Sequence, residues 1–148
     1  MEKKSSLRPL SKTVCFCGIL FSFVSVSQLL NYVIRHSGGF YLCNSGISFG
    51  IRVPNIFFWL VFAIFLLALV VFLYKKRSFS DVFVVGLALS GGGALSNATD
   101  RLLFGCVLDY IPLFKKAPVF FNVADVGIFL GTCLIFFALL EKTVGRSE

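Results

Sequence analysis

Asp109 and Asp125 stand sixteen positions apart in a chain with only seven acidic residues, each just outside the end of an apolar run. Two carboxylates that share one site cannot both ionise cheaply, so one keeps a proton near neutral pH. The ionised member can take a proton from water while its protonated neighbour donates to a carbonyl oxygen. That is aspartic peptidase chemistry, and its titration would belong to the pair. Spacing alone also leaves open an ion-pair role or a transport-pathway role for these acids.

The elements that must hold the acids follow from composition. Of 148 residues, 57% are hydrophobic, 14% are charged and 19 are Phe. That is too apolar for a soluble globule of this size. Four apolar runs, each near the ~20 residues needed to cross ~30 Å of hydrocarbon, predict an all-α polytopic membrane protein. The expected spans are residues 14–34, 56–74, 82–104 and 122–140, in one domain covering 1–148. Outer loops are expected at 35–55 and 105–121, with a small extended, β-like ribbon in the first and turns at Gly38-Gly39 and Asn44 to Gly46.

The net charge of +7 comes from residues clustered at span ends, which points to membrane orientation and away from nucleic acid. The N-terminus, Lys75 to Arg77 and the C-terminal tail fall on one side, read as cytoplasmic, with Lys115, Lys116, Arg35 and Arg52 dissenting. In span 1, Ser22, Ser25, Ser27, Gln28 and Asn31 suit hydrogen bonding between helices, Ser27 and Asn31 sharing a face. In span 3, Gly86, Ala88, Gly91, Gly92, Gly93 and Ala94 offer small surfaces for close helix contact. A phosphate loop is excluded there, because no Lys follows at the required spacing and no strand precedes.

Near the end of span 3, Asn97, Asp100 and Arg101 fall at i, i+3, i+4, on one expected face, and Asn122 and Asp125 share a face at the start of span 4. Asp100 is read as structural, pairing with Arg101 or with neighbouring polar groups. His36 reads as an interfacial polar group. The cysteines at 15, 17, 43, 106 and 133 read as small packing residues, although Cys43 and Cys106 both lie at outer loops and could pair in an oxidising compartment. No metal site or cofactor is expected.

Three blocks carry a family resemblance. Asn44 to Gly50 (NSGISFG), Gly92 to Tyr110 (GGALSNATDRLLFGCVLDY) and Phe121 to Asp125 (FNVAD) resemble the signature blocks of lipoprotein signal peptidase, signal peptidase II, in the expected order. The resemblance covers the four-span architecture, and its last two blocks together are highly specific.

It implies a membrane aspartic endopeptidase that removes the signal peptide from diacylglyceryl-modified prolipoproteins before the lipidated Cys. Asp109 and Asp125 match the catalytic pair. Asn44, Asn97, Arg101 and Asn122 match supporting, substrate-orienting positions, Asp100 the acid before the Arg, and Ala124 the small residue before the second catalytic Asp. The expected setting is a bacterial inner membrane, with both termini cytoplasmic, the site on the outer face, membrane lipids as neighbours, and a monomer. One departure is plain: the family's first span usually carries an Asp and, four residues on, a Lys, where this chain has Ser27 and Asn31. A catalytically silent prolipoprotein-binding relative and a small proton or cation transporter subunit are the alternatives.

Overall fold

The computed structural model describes residues 9–46, 55–75, 79–114 and 117–144. Four helices dominate it, α1 (Pro9–His36), α2 (Asn55–Lys75), α3 (Asp81–Phe104) and α4 (Val123–Val144). Among the described residues, Ser11–His36, Asp81–Phe104 and Val123–Thr143 are long and apolar enough to cross a membrane. α2 adds a fourth apolar helix of 21 residues. Helices α1 and α4 run past the hydrophobic stretches 14–34 and 122–140, because interfacial polar residues continue the helical hydrogen bonding beyond the hydrocarbon-length segment.

α3 is the central helix, packed on α1 and on α4. Phe16 and Leu20 of α1 meet Val84, Leu87 and Ala88 of α3 in a buried cluster. Large apolar side chains such as Phe21, Leu29, Phe129 and Phe136 face outward, as a bilayer requires. Between helices in lipid, close packing replaces the hydrophobic effect as the driving force. The glycines supply it: a Cβ on Gly86 would strike Gly131 O, and one on Gly93 would strike Ala124 O.

The ends of α3 are fixed locally. Ser80 caps its start, the hydroxyl accepting from the Phe83 N–H at 3.2 Å. Gly105, at φ 76°, ends it in the left-handed region that glycine enters without strain. At the same end as Ser80, the buried Lys12 ammonium lies 3.2 Å from Asp81 and donates to Phe79 O at 2.5 Å, clasping α1 to α3.

At the other end the loops form two small sheets. β1 (Leu42–Asn44) pairs antiparallel with β2 (Val107–Asp109), and β3 (Ile111–Phe114) pairs antiparallel with β4 (Ala117–Phe121). The extended ribbon expected inside the first outer loop is therefore shared between the two loops. Its register sets Leu42 opposite Asp109, Cys43 opposite Leu108 and Asn44 opposite Val107. The β3–β4 pairing has no counterpart in the sequence reading, since Pro112 and Pro118 argue against central strands; both are accommodated in an isolated two-stranded ribbon with an irregular register. Residues 47–54 of the first outer loop lie outside the described residues.

The expectation that all five cysteines are packing residues is corrected for two of them. Cys43 and Cys106 form a disulfide, Cα–Cα 5.4 Å, because the β1–β2 pairing brings two residues 63 positions apart to adjoining places. Cys15, Cys17 and Cys133 are free thiols.

Candidate active site

Asp125 is held by the first turn of α4. Asn122 precedes the helix, and its Oδ1 accepts the Asp125 N–H at 2.9 Å while Asp125 Oδ2 accepts the Asn122 N–H at 3.2 Å. This reciprocal pair is the geometry of a capping box, with an aspartate in the third helical position. It orients the carboxylate by local backbone alone. The remaining oxygen, Oδ1, accepts from Asn97 Nδ2 of α3 at 2.8 Å.

Asp109 ends β2 and comes to the same place from the other side of the sequence. Its Oδ2 accepts from Asn44 Nδ2 at 2.7 Å and its Oδ1 from Asn122 Nδ2 at 3.0 Å. Asn122 Nδ2 also reaches Asn97 Oδ1 at 3.2 Å. The two carboxylates thus hang on one continuous chain of amides, Asn44 to Asp109 to Asn122 to Asn97 to Asp125. Fully buried Asn122 is its centre, touching both acids.

Asp109 is buried and Asp125 half-buried. Burial pushes the Asp109 carboxyl up to about 6, the Asp125 charge adding to the rise, while the Asn44 and Asn122 donors and the Arg101 charge oppose it. Asp125 sits at the N-terminus of α4, where the helix dipole suits an anion. A carboxyl raised this far suits the proton-holding member of an acid–base pair.

Arg101 is half-buried and turned to the same cavity. It donates from Nη2 to Gly46 O at 2.6 Å and from Nη1 to Asn97 O at 3.3 Å, tying the first loop to α3. Asp100, expected on the same face, points elsewhere. Adjacent residues lie ~100° apart around a helix, so Asn97 and Arg101 share the cavity while Asp100 turns toward α1. There Asn31 Nδ2 donates to Asp100 Oδ2 at 2.8 Å and Gln28 Nε2 to Oδ1 at 3.3 Å. Neighbouring polar groups, one of the two kinds of partner expected for Asp100, supply these hydrogen bonds, and the Arg101 charge also interacts with it.

Ser27 and Asn31, the two departures in span 1, both enter this buried layer. Ser27 Oγ accepts from Ser96 Oγ at 2.8 Å, and Gln28 also donates to Ser96 O at 3.0 Å. The interhelical hydrogen bonds expected of span 1 are present. Gln28 as a partner of Asp100 was not singled out from sequence, although Gln28, Asn31 and Arg35 recur at i, i+3, i+7 on one face. The exposed His36 side chain meets Tyr32 O at 2.8 Å and takes no part.

The acids open onto a cavity of about 620 Å³ lined by Asn44, Asn97, Arg101, Asp109 and Asp125 at its polar end, and by Val126, Phe129 and Leu130 along α4. A polar mouth on an apolar groove suits a substrate with a scissile polar bond and an apolar continuation. Among the described residues no cluster of three His, Cys, Asp or Glu is arranged to hold a metal.

The family model described as signal peptidase (SPase) II matches residues 16–141. The chain is 36% identical over 108 residues to the lipoprotein signal peptidase of Staphylococcus aureus strain JH9, covering 71% of this chain and 66% of that protein. The same values hold for the lipoprotein signal peptidase of strain Newman. A solved structure of a bacterial membrane enzyme at 2.3 Å resolution superposes with TM-score 0.76 and 29% identity over 89% of this chain and 91% of that one. A second, at 1.9 Å, gives TM-score 0.70 and 30% identity over 85% and 92%.

Proposed function

Because this chain belongs to the signal peptidase II family, we propose that it is a membrane aspartic endopeptidase that cleaves the signal peptide from diacylglyceryl-modified prolipoproteins, just before the lipidated Cys. The observation that carries the reading is Asn122, whose one side chain bonds both Asp109 and the Asp125 backbone at the mouth of an apolar groove.

Asp125 acts as the base and Asp109 as the acid. Asp125 takes a proton from a water between the two carboxyls as that water attacks the scissile carbonyl. Asp109 gives its proton to the carbonyl oxygen. The tetrahedral intermediate collapses when a proton passes to the leaving amine, which frees the amino group of the lipidated Cys, and the pair regains its single shared proton. Asn44, Asn97 and Asn122 keep the carboxyls in place through these transfers, and Arg101 holds the first loop over the site.

Orientation follows from charge and chemistry. Lys75 to Arg77 and both termini are assigned to the cytoplasmic side, and the acids to the outer face, where water meets lipid and diacylglyceryl chains can stay in the bilayer. A proton path would distribute acids through the bilayer depth. Here Asp100, Asp109 and Asp125 gather toward one end, while at the other Asp81 pairs with Lys12 and Glu141 is exposed.

The test is cleavage of a lipidated prolipoprotein in detergent by the wild type, Asp109→Asn and Asp125→Asn. Loss of processing in both variants is the expected result, and processing at the parental rate by both would end the peptidase reading.

A further inference from the structure

The bond between Cys43 and Cys106 lies directly beside the catalytic machinery. Cys43 immediately precedes Asn44, the donor to Asp109 Oδ2, and Cys106 immediately precedes β2, the strand that carries Asp109. Without the bond, β1 is a three-residue strand with one ladder partner, and its residues Leu42 and Cys43 are exposed. So short a two-stranded ladder is marginal on its own in water. The bond closes a loop with a sequence separation of 63, and a constraint of that length removes much of the freedom the first loop would otherwise have.

We propose that the Cys43–Cys106 disulfide is a positioning element of the active site, holding Asn44 against Asp109 so that full activity requires the oxidised pair. This rests on the peptidase reading above. Leu108 and Val107 are buried on β2, so that strand keeps its place on the protein body. What the bond fixes is β1, and with it the Asn44 amide. Arg101 holds Gly46 O, the Gly46 N–H donates to Asn44 Oδ1 at 2.9 Å, and the Phe40 and Phe120 rings meet with centroids 5.5 Å apart; these contacts fix the loop on the far side of Asn44 and at its start, while the disulfide anchors the strand from which the Asn44 side chain projects.

The chemistry is reversible. Cys43 is exposed and Cys106 buried, so a reductant approaches from the Cys43 side. A dithiol attacks the bond through its thiolate, passes through a mixed disulfide and leaves as its own cyclic disulfide. Two electrons and two protons move to Cys43 and Cys106, which become thiols. Exchange with an added disulfide runs the same steps in reverse. On the outer face the oxidised state is the resting one.

The experiment uses the full chain in detergent with a synthetic peptide bearing a diacylglyceryl Cys. Rates are measured as prepared, after dithiothreitol, and after reoxidation with oxidised glutathione, alongside Cys43→Ser/Cys106→Ser and Asn44→Ala. Reduction is expected to lower kcat about tenfold with KM within about twofold, and reoxidation to restore it. The double Ser variant should be slow and indifferent to dithiothreitol, which separates the bond from the free thiols at Cys15, Cys17 and Cys133. Asn44→Ala should also be slow and gain no further loss on reduction, since the bond acts through that side chain. Equal kcat in oxidised and reduced wild type would overturn the proposal, as would an equal fold-loss on reduction in wild type and Asn44→Ala. Absence of cleavage by the oxidised wild type would instead overturn the peptidase reading on which it rests.

Discussion

Asn122 donates to Asp109 Oδ1 at 3.0 Å across thirteen positions of sequence, and this one bond joins the loop-borne acid to the helix that carries the other. The same side chain caps α4 through the Asp125 N–H at 2.9 Å. Its two duties can be separated. Asn122→Ser keeps a capping oxygen but loses the amide donor, so kcat/KM should fall by roughly ten- to a hundredfold and about 1–3 kcal/mol of stability should go with the unpaired Asp109 Oδ1. Asn122→Ala should lose about 1 kcal/mol beyond that, the worth of the cap. Equal activity in the Ser variant and wild type, measured by substrate cleavage, would show that the amide bridge is dispensable.

The pH dependence has a defined sign. Asp109 is pushed up to about 6, so it keeps its proton to higher pH than an exposed aspartate. As pH rises past that value Asp109 loses the proton it would give to the carbonyl oxygen, and kcat/KM should fall. The Asn44 amide favours the ionised form, and Asn44→Ala removes that preference. The alkaline limb of the kcat/KM profile should therefore move to higher pH in Asn44→Ala. A limb that moved to lower pH would contradict the assignment of Asp109 as the proton holder.

The buried layer beneath the site should be sensitive to loss of a single amide. Asn31→Leu leaves Asp100 Oδ2 without its 2.8 Å donor, at a cost of about 1–3 kcal/mol. Asn31→Lys supplies a charged donor at the position where the family usually carries one, and should cost less. Thermal unfolding in detergent ranks the two, and a Leu variant as stable as the Lys variant would remove Asn31 from the account of Asp100.

Close helix contact also bears on catalysis. A Cβ on Gly93 meets Ala124 O and comes within 2.8 Å of Ile128 Cγ1, at the turn of α4 that carries Asp125. Gly93→Ala should cost about 1–3 kcal/mol by overpacking and slow cleavage by shifting Asp125. Gly18→Ala, where a Cβ meets nothing within 4 Å, is the control and should change neither. Melting temperature and cleavage rate of the two variants decide the point.

Much of this molecule was legible in its residues. Apolar runs of membrane length marked the helices, and the signature blocks singled out Asn44, Asn97, Arg101, Asp109, Asn122 and Asp125. Helix propensity, capping and hydrophobic length are local properties, so they can be read within a window of a few turns. The small residues of α3 likewise announced a close contact, although which helix would make it was hidden.

Tertiary structure alone decided the pairings between distant segments. That β1 finds β2 and not a partner within its own loop, that Cys43 reaches Cys106, that Asp100 turns to Gln28 and Asn31, and that β3 and β4 form a ribbon despite Pro112 and Pro118 all depend on which helix ends meet. A strand of three residues has too little local preference to choose its own partner, and a polar side chain in a helix can be satisfied by any neighbour that faces it. The residues specified the chemical groups and the helices, and the packing of α1 and α4 around α3 determined which groups touch.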